Sequence, residues 1–187
     1  MKNDALYWEK RFSTNWVSKG GSEQTEFFAN LVIQNLPAWV IDFLKNKPHT
    51  FCDIGCALGE GTNLLKLEFN NLKCAGLDIS KKAVEIAQTK FANISFIQQG
   101  IDEMSMSYDI CFCSNTLEHF SDPISKMERI GKNPNTMMIY LIPFQEFPLH
   151  NEHEYSFDYN NVPLQIKDFS LKFFKVFNFI SYQFNSK

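Results

Sequence analysis

Thr50-Phe-Cys-Asp-Ile-Gly-Cys-Ala-Leu-Gly-Glu-Gly61 decides the fold of this chain. The stretch opens as a short apolar strand, passes the acid Asp53, and turns through Gly55 and Gly59 into a predicted helix. Further along, Ala75-Gly-Leu-Asp78 ends a second apolar strand, again in an acid. A strand, a glycine turn, a helix and an acid-terminated strand form the layout of a nucleoside site at the carboxyl edge of a parallel sheet. Gly55 and Gly59 would let the backbone approach a ligand where a Cβ would clash, and the helix start offers free N–H groups. Asp78 is placed to accept hydrogen bonds from a ribose diol.

Outward from this stretch the chain alternates. Strands are predicted at 50–54, 73–78, 94–98, 109–114 and 137–142, and helices at 60–69, 81–91 and 122–130. Ser80 is a predicted cap, with Ala83, Ile86, Ala87 and Phe91 on the buried face of the helix behind it. Asn133-Pro-Asn135 is read as the turn before the fifth strand. The expected class is α/β: a Rossmann-like, doubly wound, mainly parallel sheet with helices on both faces. Residues 1–45 read as a helical cover. Ser22 is its candidate N-cap, Phe27, Phe28, Leu31 and Val32 form an apolar stripe, and Pro37 starts a further helix. Past Pro143 the regularity breaks, and a helix near 161–170 and a strand near 172–180 are expected, a reduced C-terminal strand pair. All 187 residues are read as one domain: cover 1–45, cofactor-binding core 46–143, substrate-side loop and terminal helix and strand 144–187.

Composition narrows the classes. A hydrophobic fraction of 44% and an aromatic fraction of 15% exclude general disorder. The net charge of −3 gives no broad cationic footprint, so no nucleic acid partner is expected. No apolar run reaches spanning length and no secretory signal is read, so no membrane association and a cytoplasmic location are expected. The five cysteines show no paired zinc-type spacing and are expected to be buried, reduced thiols.

Asp53 sets the charge of the ligand. An acid in the mouth of the loop repels a pyrophosphate and suits an ammonium or sulfonium group, and the loop lacks the Gly-Lys-Ser/Thr ending of a phosphate cradle. Phe51-Cys-Asp-Ile-Gly-Cys-Ala-Leu-Gly59, Gly76-Leu-Asp-Ile-Ser80 and Tyr108-Asp-Ile-Cys-Phe-Cys-Ser-Asn-Thr-Leu-Glu-His-Phe-Ser-Asp-Pro123 resemble the class I S-adenosylmethionine-dependent methyltransferases. The last run is similar to the "LEH…DP" segment of many small-molecule members. The resemblance implies S-adenosyl-L-methionine as cofactor and S-adenosyl-L-homocysteine as product. It implies methyl transfer to a small polar acceptor, a hydroxyl of a sugar, nucleotide-sugar or related metabolite. N-methylation and a catalytically silent partner subunit are the alternatives, and the oligomeric state is open.

On that resemblance, Asp53 and the backbone of Gly55, Cys56 and Gly59 would face the methionine portion, with Asp78 on the ribose and Ile79 on adenine. Ile101 and Asp102 are candidates for the adenine pocket, and Ser114 for the strand end nearest the methyl group. Gly20 to Thr25 resembles a lid segment, with Gln24 as a candidate for the methionine carboxylate. A hydroxyl acceptor needs a base, and histidine serves near neutral pH. His49 is read as surface. His153 and His150, in a loop that resembles one in saccharide methyltransferases, are the catalytic candidates, with Glu152 and Glu154 as the acids flanking His153. A metal-dependent minority carries Glu-x-x-Glu-His with a further His downstream. Here Glu118, His119 and His153 match that pattern, but Asn115 stands in place of the first Glu, so no metal is expected.

Overall fold

The structure, a computed structural model, describes residues 3–170 and residue 172. Three helices come first: α1 Ala5–Thr14, α2 Gly21–Asn35 and α3 Ala38–Asn46. The alternating part follows as β1 His49–Ile54, α4 Glu60–Glu68, β2 Leu72–Asp78, α5 Lys81–Lys90, β3 Ser95–Gln98, β4 Tyr108–Ser114, α6 Pro123–Ile130 and β5 Pro134–Leu141. These five strands form one sheet in the order β3-β2-β1-β4-β5, every pair parallel. The order reverses between β1 and β4, so the carboxyl ends of those strands open the crevice where ligands of such sheets bind.

The strands form where the sequence is apolar on both faces, as a doubly covered parallel sheet requires. Phe51, Ile54, Leu77, Ile110 and Phe112 are all buried. One face packs on α2, α3, α4 and α5 through Val32, Leu44, Leu65 and Val84. The other face packs on Met104, Met127, Ile130 and Phe157. Ser80 caps α5, accepting the Ala83 N–H at 3.1 Å, as the sequence predicts. All five cysteines are free and buried. Burial pushes the Cys74 and Cys111 thiols up to about 12.

Three expectations are corrected. Ser22 does not cap α2: the helix starts one residue earlier at Gly21, behind Gly20 in the left-handed region at φ 76°. The helix expected near 161–170 is a short antiparallel pair, β6 Gln165–Ile166 and β7 Phe169–Ser170. Lys167, at φ 54°, turns the chain back between them, and Ile166 packs on Gly131. His49 is buried rather than surface, its ring stacked on Phe43 with centroids 4.2 Å apart. The strand expected near 172–180 lies outside the described residues, Lys172 excepted. No single helix among the described residues is long and apolar enough to cross a membrane.

Candidate active site

The loop after β1 is held in an unusual backbone conformation. Gly55, Ala57 and Gly59 have φ of 78°, 49° and 86°. The N–H groups of Gly55 and Cys56 both donate to the Leu77 carbonyl, at 2.8 and 3.0 Å. The glycines are needed for their φ and for packing against the protein itself. A Cβ on Gly55 would lie 2.3 Å from Thr116 Oγ1, and one on Gly59 would lie 2.7 Å from the Phe96 ring. The space on the Cβ side of these two glycines is therefore filled by Thr116 and Phe96.

Two carboxylates flank this loop. Asp53 ends up buried, with the Thr62 hydroxyl donating to it at 2.5 Å. Asp78 accepts the Ala57 N–H at 3.0 Å and the Ser80 N–H at 2.9 Å. Burial pushes Asp53 up to about 6 and Asp78 up to about 7, because a desolvated carboxylate resists ionisation. Such a pair gains from a ligand that brings positive charge or hydroxyl donors. Ile79, beside Asp78, leaves 38% of its surface open, an apolar shelf next to the acid.

Other predicted cofactor residues are placed differently. The Cys56 side chain is buried in the core against Gly76, so only its backbone is left for a ligand. Ile101 is likewise core, packed with the group that includes Leu77. Asp102 is exposed and paired with Lys126 Nζ at 2.6 and 2.8 Å, which turns its carboxylate toward α6. Gln24 is exposed on α2, whereas Thr25 faces α4, with its methyl group 3.2 Å from where a Cβ on Gly61 would sit. Ser114, at the end of β4, accepts a hydrogen bond from Asn115 at 3.0 Å.

A second cluster stands on the same edge of the sheet. Leu117–His119 forms a turn of 3-10 helix just past β4, and the long segment after β5 returns to meet it. The Glu154 and Tyr155 N–H groups both donate to the Glu118 carbonyl, at 2.8 and 3.2 Å. His119 and His153 rings meet edge to face with centroids 5.1 Å apart, and His150 lies 5.0 Å from His153. His153 Nδ1 bonds Glu146 Oε2 at 2.6 Å, so its acid partner is Glu146 and not the neighbours Glu152 and Glu154. Glu152 faces the other way, onto Tyr7 and onto Arg11 Nε at 3.1 Å. Burial pushes Glu118 up to about 8 and His119 down to about 4.

Sequence reasoning missed Thr62, Thr116, Glu9 and Glu146. Thr62, one turn into the helix behind the loop, had a readable position. Glu9 had no local signal: from α1 it accepts the Ser80 hydroxyl at 2.6 Å and the Lys82 N–H at 3.0 Å, across a gap of about seventy residues.

A hollow of about 430 Å³ lined by Lys66, Lys73, Ser95 and Tyr108 lies at the amino ends of the strands, away from the crevice. Its position at the wrong edge of the sheet gives it no part in the site.

A family profile described as a methyltransferase domain matches residues 45–177. No curated protein matches the sequence. Among solved structures, the complex between the Haloferax volcanii Trm112 methyltransferase activator and a methyltransferase is similar at 17% identity and TM-score 0.60. That match covers 74% of this chain and 61% of the other. The plantazolicin methyltransferase BpumL, in complex with a monoazolic desmethylPZN analog and SAH, is similar at 20% identity and TM-score 0.59, over 73% of this chain and 56% of its own. Magnesium protoporphyrin IX methyltransferase ChlM from Synechocystis PCC 6803, with bound SAH, is similar at 18% identity and TM-score 0.59, over 85% and 80%. The chain thus spans less than two thirds of the length of the first two. At these identities the likeness is one of fold. A parallel sheet of this order, carrying the family profile over most of its length, makes the chain a member of the class I S-adenosylmethionine-dependent methyltransferases.

Proposed function

We propose that this chain transfers a methyl group from S-adenosylmethionine to an oxygen of a small polar acceptor, a hydroxyl of a sugar, nucleotide-sugar or related metabolite. The residues present fit the cofactor. Asp53 and Asp78 are buried carboxylates at the ends of adjacent strands, and the Ile79 shelf lies beside the second. That donor set suits an ammonium, a ribose diol and a base in sequence. The cofactor supplies, when bound, an activated methyl on a sulfonium leaving group.

The protein's own part is alignment, exclusion of water and removal of one proton. Thr62 fixes Asp53, and the Ala57 and Ser80 N–H groups fix Asp78. Trp8 packs on the side of α1 that covers Ala57, Leu58 and Ala83, which shields the crevice from solvent. Glu146 holds His153 at Nδ1, which makes Nε2 its basic nitrogen. The proton of the acceptor hydroxyl passes to that nitrogen as the oxygen attacks. His150 is exposed and contacts His153 through its ring, so its part is to position that ring or the acceptor.

The observation that carries the reading is the His153–Glu146 pair, on the same edge of the sheet as the two strand-end acids. Labelled cofactor incubated with a metabolite extract tests it. The expected result is label in a small polar product as an ether that resists mild hydrolysis. Label recovered on an amine or on macromolecules would overturn the acceptor class. His153→Ala should lower turnover by about 100- to 10,000-fold with S-adenosylhomocysteine affinity nearly unchanged.

A further inference from the structure

Glu118 is only 1% exposed, and its Oε2 has no hydrogen-bond partner among the described residues. A buried carboxylate oxygen without a donor is costly unless something else compensates it. Beside this carboxylate stands a pair of imidazoles. His153 Nε2 lies 3.9 Å from Glu118 Oε1. One ligand atom each from Glu118, His119 and His153 fall within 4.8 Å of one another.

Both rings are oriented from behind. His119 Nδ1 bonds the Glu152 carbonyl at 3.0 Å, and His153 Nδ1 bonds the Glu146 carboxylate at 2.6 Å. A carbonyl or carboxylate on one ring nitrogen fixes the tautomer and presents the other nitrogen as a lone pair. Metal-ligating histidines are held in this way. The cluster is also built into the fold: the Glu154 and Tyr155 N–H groups tie the loop to Glu118, and Asn3 bonds the carbonyls of His119 and Glu152.

We propose that Glu118, His119 and His153 bind a divalent first-row transition ion of the manganese, cobalt or zinc class. Two imidazoles and one carboxylate suit these ions, whereas magnesium and calcium favour oxygen ligands. Metal–ligand bonds of about 2.0–2.2 Å require the three side chains to draw together by about an ångström. Three protein ligands leave a coordination position open, and an acceptor oxygen seated there would be held against the methyl group and made easier to deprotonate. The sequence pattern argued against an ion, because Asn115 stands where an acid was expected; the geometry of the other three argues for one. Only the place of the ion beside the acceptor rests on the proposed methyl transfer; with the ion bound, His153 Nε2 is a ligand rather than the base, and the ion takes over activation of the acceptor oxygen.

The experiment uses the full chain, stripped with a chelator and dialysed. Calorimetric titration with manganese, cobalt and zinc chlorides, without cofactor, should show one ion per chain, and cobalt should give visible ligand-field absorption. Magnesium should bind at least about 100-fold more weakly. His153→Gln and His119→Gln should each weaken ion binding by at least about 10-fold, in line with the loss of a metal contact. Because Glu118 is buried, Glu118→Gln is used only if its circular dichroism matches the parent. A separate titration of the stripped protein with S-adenosylhomocysteine reports on the cofactor reading, so failure of one can be told from failure of the other. Absence of stoichiometric binding by all three ions, or binding unchanged in both histidine variants, overturns the proposal.

Discussion

At the scale of single residues, Asp78 is the most exacting position. Its carboxylate takes two loop N–H groups and is the candidate for the ribose hydroxyls. Asp78→Ala should weaken S-adenosylhomocysteine binding by about 1.5–3 kcal/mol, the cost of losing a charged hydrogen bond, read by calorimetry. Its titration has a definite sign. The folded value is raised to about 7 by burial, against an ordinary value of 3.8. Between those values the native state holds a proton that the unfolded state has lost. That contribution to stability is present at low pH and is lost as pH rises through about 7. His119, lowered to about 4, acts in the opposite sense only below its ordinary value of 6.5. From pH 8 down to 6.5, therefore, the thermal midpoint of the ligand-free protein should rise through protonation of both Glu118 and Asp78, and Asp78→Asn should reduce that slope without removing it. Gly59 is constrained differently. At φ 86°, with Phe96 2.7 Å from the missing Cβ, Gly59→Ala should cost about 2–4 kcal/mol in a denaturant melt, combining left-handed strain with overpacking.

At the scale of elements, α1 and α5 depend on each other. Glu9 adds a carboxylate to the N-terminus of α5, where Ser80 already caps the backbone. Glu9→Ala should lower stability by about 1 kcal/mol, a typical capping loss, and speed hydrogen exchange in the first turn of α5. Elements with a strong local pattern were legible in the sequence. The five parallel strands announce themselves by buried apolar runs such as Phe51-Cys52 and Ile110-Cys111-Phe112, and α5 by Ser80. The pair β6–β7 was not legible, because Val162, Ile166 and Phe169 also fit a helical spacing, and only the backbone of Lys167 decides between the two. At the site, Asp53 and Asp78 could be placed from the sequence because each ends its own strand. The pairing of His153 with Glu146, and of Glu152 with Arg11, could not, because loop acids choose partners by chain path rather than by proximity in sequence.

At the scale of the whole molecule, the sheet gathers both clusters, the proposed cofactor and acceptor ends, onto one edge. A ligand that binds only the native state must raise its stability. S-adenosylhomocysteine at a hundredfold excess over its dissociation constant should add about 2.7 kcal/mol, and NAD(H) should add nothing, by thermal melt. The helix α1 spans that edge. Glu9 fastens it at the cofactor side, while Asn3, Tyr7 and Arg11 fasten it to the loop that carries Glu152. A helix held on one side by Glu9 and on the other by Tyr7 and Arg11 would serve both clusters as a shared door. If the chain turns over as proposed, its ligands should arrive in a compulsory order and spent cofactor should leave only when that door opens. Rapid mixing with the acceptor should then show a burst, one product molecule formed per chain ahead of a slower steady rate. Releasing the loop side by Tyr7→Phe together with Arg11→Ala should raise the steady rate toward that of the first turnover, which would set the rate at the doorway rather than at the methyl group.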